Sequence, residues 1–125
     1  MKVLALDYGS ARTGVAVSDP TGTVARPLEV VVRASTEAGL ARLRELVEAE
    51  QAELVVVGLP VTLRGERGSQ AQETERFVEK LRRAVEVPVE LYDERFTSVL
   101  AAGDDAQAAA HLLSDYLAWS TSRER

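Results

Sequence analysis

Residues 2–18 read KVLALDYGSARTGVAVS, and how this stretch folds decides the architecture of the rest. Lys2 to Leu6 is a short β-branched and aliphatic run closed by Asp7-Tyr8-Gly9-Ser10, and Thr13 to Ser18 resumes an apolar alternation after the turn-rich gap. Two such runs predict a β-hairpin. Asp19-Pro20-Thr21-Gly22 is a second turn, and a third strand follows from Thr23 to Ala25 and Leu28 to Arg33, interrupted by Pro27. Proline cannot donate to a strand ladder, so Pro27 marks an edge strand or a bulge.

Beyond this meander the period changes. Ser35 can cap a helix from Thr36 to about Gln51, with Leu40, Leu43, Leu46 and Val47 as its apolar stripe. Leu54-Val55-Val56-Val57 is apolar at every position, as a central strand covered on both faces requires. Ser69 with Gln72 three residues on forms a capping-box pattern, and Ala71, Thr74, Val78 and Leu81 continue at helical spacing to about Val85. Pro88 opens a strand from Val89 to Tyr92. The last element runs from about Asp105 to Trp119, with Ala109, Leu112, Tyr116 and Leu117 on one side and a polar tail from Ser120 to Arg125. Short turns make the first three strands antiparallel, and helical crossovers make the later ones parallel. The expected fold is α/β: a five-stranded mixed sheet flanked by helices, as one domain over residues 1–125.

Composition narrows the chemistry. The chain has 125 residues, no cysteine and one histidine, which excludes a disulfide framework, a thiol nucleophile, a cysteine-ligated zinc and a histidine-rich metal cluster. Its 15 basic and 20 acidic residues give a formal charge of -5, unlike a generally basic nucleic-acid coat protein, though a local basic groove remains compatible. The longest apolar stretch, around residues 54–59, is far below the ~18 residues of a membrane span. The opening apolar run is too short for a signal peptide, so a cytoplasmic protein is expected.

Catalytic capacity therefore rests on oxygen. In such a sheet the reactive edge is the carboxyl end of the parallel strands. Asp7 closes the first strand, Glu94 follows Asp93 at the end of the fifth, and Asp105 begins the last helix. Three carboxylates meeting at one rim would repel unless a cation joined them, and oxygen ligands with open water positions suit Mg²⁺ or Mn²⁺. Taken singly, each acid is explained as well by a turn, a solvated strand end or a helix cap. Their combination at element ends points to a metal site.

Other residues gather near the same rim. Arg12 and Thr13 lie in the first hairpin beside Asp7, and Gly9 and Gly14 would let that backbone approach a ligand closely. Arg64 and Arg67 place two guanidiniums before a helix N-terminus, a suitable phosphate site, and Arg95 follows Glu94. Each has an ordinary alternative in turn chemistry, a solvated loop or a pair with Asp93. Tyr92 and Phe96 read as packing residues, and His111 as structural or surface.

The stretch from Leu4 to Asp19, then Val56-Val57-Gly58-Leu59-Pro60 with Gly65 and Gly68, then Tyr92-Asp93-Glu94-Arg95-Phe96-Thr97-Ser98, and finally Asp105 with Ala108-Ala109, Leu112-Leu113 and Tyr116-Leu117 occur in order. Together they resemble the bacterial YqgF (RuvX) family, candidate pre-16S rRNA nucleases similar to Holliday junction resolvases. The resemblance implies an RNase H-like fold, with Asp7, Glu94 and Asp105 as the metal-binding and catalytic acids. Family members usually carry a longer, basic and partly helical segment before the final aspartate. Here only residues 95–104 intervene, which leaves Asp104 open beside Asp105 as the third acid.

The function expected is a divalent-metal-dependent endonuclease on structured nucleic acid, in 5′-end maturation of pre-16S rRNA as the resemblance implies. Arg12, Thr13, Arg64, Arg67 and Arg95 would contact the nucleic acid. Branched DNA, as for a Holliday junction resolvase, is the second substrate class. Two readings of other classes stand beside it: a binding module without chemistry, and an ATPase, because the Asp7 to Gly14 hairpin also resembles the phosphate-binding hairpin of sugar kinases and actin-like proteins. The partners expected are structured RNA or branched DNA and no membrane, with the chain a monomer or homodimer.

Overall fold

The computed structural model describes residues 1–59, 68–93 and 105–123. Its elements are β1 (Val3–Asp7), β2 (Arg12–Ser18), β3 (Ala25–Val32), α1 (Glu37–Glu50), β4 (Leu54–Leu59), α2 (Ser69–Ala84), β5 (Val89–Asp93) and α3 (Asp105–Arg123). The five strands form one sheet in the order β3-β2-β1-β4-β5. β1 and β2, and β2 and β3, pair antiparallel, while β4 runs parallel to both β1 and β5. The expected mixed sheet is what the chain forms.

Strand alternation divides the core into two layers. Leu4, Leu6, Val15, Val17, Val55 and Val57 face α1 and α2, where Leu43, Leu46, Val47, Phe77, Val78 and Leu81 meet them. Val3, Ala5, Ala16, Leu54 and Val56 face the other way and are covered by Ala109, Ala110, Leu112, Leu113, Tyr116 and Leu117 of α3. β4 contributes to both layers, which is why it tolerates no polar side chain from Leu54 to Val57. Phe77, absent from the expected stripe of α2, stacks on Tyr8 with ring centroids 4.3 Å apart.

Pro27 sits on the edge strand β3. The register passes from Val15 opposite Glu29 to Ala16 opposite Pro27, so Leu28 is the extra residue of a bulge. The turn before β3 is tied by Asp19, whose carboxylate accepts from the Thr23 and Val24 N–H groups at 2.7 and 2.9 Å.

Three local expectations need correction. α1 is capped by Thr36, not Ser35: its Oγ1 accepts from the Gly39 N–H at 3.2 Å while donating to the Arg33 carbonyl at 2.7 Å. The capping box at Ser69 does not form, because Gly68 occupies the N-cap and Ser69 is already helical. The polar tail is helical to Arg123, beyond an aromatic cluster in which Trp119 lies 5.6 Å from Tyr92 and 5.7 Å from Tyr116. Among the described residues, no helix is long and apolar enough to cross a membrane.

Candidate active site

β1, β4 and β5 point the same way and end together. Leu59 and Asp93, the last residues of β4 and β5, are in register, and Asp7 closes β1 opposite Gly14 of β2. Asp7 shares the alternation of Val3 and Ala5, so it belongs to the α3 face of the sheet. The next residue, Tyr8, is buried in the opposite layer against Phe77, which fixes the chain on leaving β1.

Gly14 lets the last helix reach Asp7. A Cβ at residue 14 would lie 1.7 Å from the Asp105 carbonyl oxygen and 2.8 Å from the Ala106 nitrogen, so the first turn of α3 rests directly on the β2 backbone. The expected ligand approach at this glycine is therefore taken by the protein's own helix. At Gly9 a Cβ would meet the Arg12 carbonyl at 2.6 Å, so that glycine serves closure of the hairpin. The contact at Gly14 brings Asp105 within electrostatic reach of Asp7. Burial first, and the Asp105 charge second, push the Asp7 carboxyl up to about 6.

Arg12 stands at the edge of this pair. Its Nε lies 3.1 Å from Asp105 Oδ2, with 64% of the Arg12 side chain exposed. Thr13 is fully buried, and its Oγ1 accepts from the Gly9 N–H at 3.4 Å and donates to the Gly9 carbonyl at 3.3 Å. The nucleic-acid contact expected of Thr13 is thus closed off, because its hydroxyl is turned inward to hold the hairpin.

The structure accordingly brings Asp7, Asp105 and Arg12 together. Glu94, Arg95, Arg64, Arg67 and Asp104 lie outside the described residues. Among the described residues there is no group of three or more acidic, histidine or cysteine side chains that could hold a metal. The pair at the rim is nevertheless chemically suited to a hard divalent ion: two carboxylates with a mutual repulsion that a cation would relieve. The contact of Gly14 with α3 escaped the sequence reading, since a glycine pressed against a helix backbone leaves no periodic signal.

A profile of the RuvX family, described as Holliday junction resolvase, matches residues 1–119. The chain belongs to the RuvX family. A Chloroflexus aurantiacus relative named as a candidate pre-16S rRNA nuclease is 42% identical over 130 positions, covering 92% of this chain and 85% of its own. A Gloeobacter violaceus relative of the same name is 39% identical over 130 positions, covering 94% and 83%. Each of these alignments is longer than the part of this chain it covers, so these RuvX relatives carry extra positions inside the matched span.

The RuvX chain also shares its fold with solved resolvases. Thermus thermophilus RuvC in complex with a Holliday junction substrate superposes with a TM-score of 0.64 at 21% identity, covering 97% of this chain and 96% of that one. Fowlpox virus resolvase with Holliday junction DNA gives 0.50 at 11% identity, covering 99% and 98%. The fold is RNase H-like, as the sequence led one to expect, and the family is one of nucleases.

Proposed function

We propose that this chain is a divalent-metal-dependent endonuclease acting on structured nucleic acid, with precursor 16S rRNA as the substrate and 5′-end maturation as its role. The observation that carries the reading is the Asp7–Asp105 pair at the carboxyl rim of the sheet, assembled through Gly14. The names of the curated relatives, at about twice the identity of the DNA resolvases, favour RNA over branched DNA.

In this reading Asp7 and Asp105 hold the metal, joined by Glu94, which directly follows β5 in the chain. Bound Mg²⁺ or Mn²⁺ supplies Lewis-acid stabilisation of the phosphodiester and a more acidic water. The protein's share is placement. The two carboxylates are carried by a central strand and by a helix docked on Gly14. Arg12 serves the phosphate, and Arg64, Arg67 and Arg95 are the further basic residues assigned to nucleic-acid binding. The protein works in the cytoplasm as a monomer or homodimer.

The test is cleavage of structured RNA and of a four-way DNA junction by the purified chain with Mn²⁺, beside Asp7→Asn. Metal-dependent cleavage of the RNA that disappears in the variant supports the proposal. Cleavage of the junction alone transfers it to branched DNA. Cleavage retained by Asp7→Asn removes Asp7 from the site, and no cleavage of either substrate by the wild type favours a binding module.

A further inference from the structure

Arg33 follows β3 where that strand reaches the rim on which β1 ends and β2 begins. Its φ is 49°, in the left-handed region that glycine enters freely and other L-residues avoid. Three neighbours hold the backbone there. The Arg33 N–H donates to the Ala11 carbonyl at 3.0 Å, and the Arg33 carbonyl accepts from the Thr36 N–H at 3.1 Å and the Thr36 hydroxyl at 2.7 Å. Gly39 packs so closely beneath that carbonyl that a Cβ would come within 2.3 Å of it. Residue 33 thus joins the hairpin loop after Asp7 to the cap of α1.

This backbone would be better served by glycine, yet it carries the longest cationic side chain available. That side chain is exposed and makes no ion pair among the described residues. Arg12 is paired across the strands with Val32, so Arg12 and Arg33 flank the same corner of the sheet. Asp7, Gly14 and Val30 share one level across the strands. With strands about 4.8 Å apart and a rise of about 3.3 Å per residue, Arg33 then sits roughly 14 Å from Asp7. A guanidinium at that distance meets a different phosphate from the one at the carboxylates.

We infer that Arg33 is a phosphate-binding residue of the substrate track, presented beside Arg12 by a backbone conformation kept at the expense of stability. The inference rests on the nuclease reading and extends its binding surface onto the end of β3. A residue with only a structural task at this position would improve on becoming glycine and leave binding untouched.

The experiment measures melting temperature and affinity for a labelled structured RNA at several salt concentrations, in Ca²⁺ to hold the complex without turnover. It compares wild type with Arg33→Gly, Arg33→Asn and Arg33→Lys. Arg33→Gly should melt about 3 °C higher. It should also lose about one unit of log-log salt slope and roughly fivefold to tenfold in affinity near 0.1 M salt. Arg33→Asn, which also tolerates the left-handed region, should lose the same slope, and Arg33→Lys should keep it. Wild-type slopes in both the glycine and asparagine variants overturn the inference and leave the nuclease reading standing. A lower melting temperature in both overturns its premise about the backbone. Absence of RNA binding by the wild type overturns the inference together with the RNA reading.

Discussion

Replacing Asp7 by asparagine is expected to stabilise the protein, and to do so only above a defined pH. The carboxyl ordinarily titrates near 3.8 and here is pushed up to about 6, by burial and then by the Asp105 charge. Between about pH 4 and 6 the folded chain holds a proton that the unfolded chain has released, so wild-type stability falls as pH rises through this window and levels off above it. At about 1.4 kcal/mol per pH unit the full effect is about 3 kcal/mol. Solvent screening at a partly exposed carboxyl reduces it to about 1–2 kcal/mol. Asparagine keeps the shape and carries no charge, so the variant escapes this loss. Thermal unfolding from pH 4 to 8 in a chelating buffer should show the two proteins melting together at the acid end. Above pH 6 the variant should lead by about 4–8 °C. Added Mn²⁺ should then raise the wild type alone, since binding to the native state stabilises by mass action. A gap that does not change with pH, or a variant less stable at pH 8, would refute the electrostatic account of this pair.

Gly14→Ala places a Cβ 1.7 Å from the Asp105 carbonyl, so α3 must lift; we expect a loss of about 1–3 kcal/mol and a fall of the Asp7 titration toward its ordinary range, followed by calorimetry and carboxyl NMR. Arg12→Ala removes a cation 3.1 Å from Asp105; stability should change by less than about 1 kcal/mol, while calorimetric titration should show Mn²⁺ binding several-fold tighter, and unchanged affinity would count against Asp105 as a ligand. Thr13→Val strips both hydrogen bonds from Gly9 without changing volume much, and about 1 kcal/mol should be lost in denaturant unfolding.

The fold was legible where one residue type permits one role. Four consecutive apolar residues from Leu54 required a strand covered on both faces, and Pro27 pointed to an edge strand or a bulge, of which the structure shows both: β3 lies at the edge and carries a bulge at Leu28. The caps were less legible because adjacent candidates compete locally: Ser35 and Thr36 are chemically equivalent, and Thr36 wins through the Arg33 carbonyl that tertiary structure sets beside it. The continuation of α3 past Trp119 was hidden because a polar composition does not distinguish a helical end from a frayed one. In the candidate site, the placement of Asp7 at a strand end and of Asp105 at a helix start was legible. What brings them together was not, since Gly14 acts by lacking a side chain. Thr13 misled because a hydroxyl beside an acidic residue reads alike whether it faces a ligand or its own turn.

The docking of residue 105 on residue 14 also has a consequence for biosynthesis. The carboxylate that ends the first strand is made early, and its partner, 98 positions later, is made only after the whole sheet has been synthesised. Until α3 arrives, the face carrying Val3, Ala5, Ala16 and Val56 has no cover, and the acidic pair does not exist. Contacts of such long sequence separation form late, after the loop-closure entropy of the intervening chain has been met. The centre therefore comes together at the same moment as the second half of the core, so a growing or truncated polypeptide cannot display an assembled acidic pair before the rest of the molecule has folded around it.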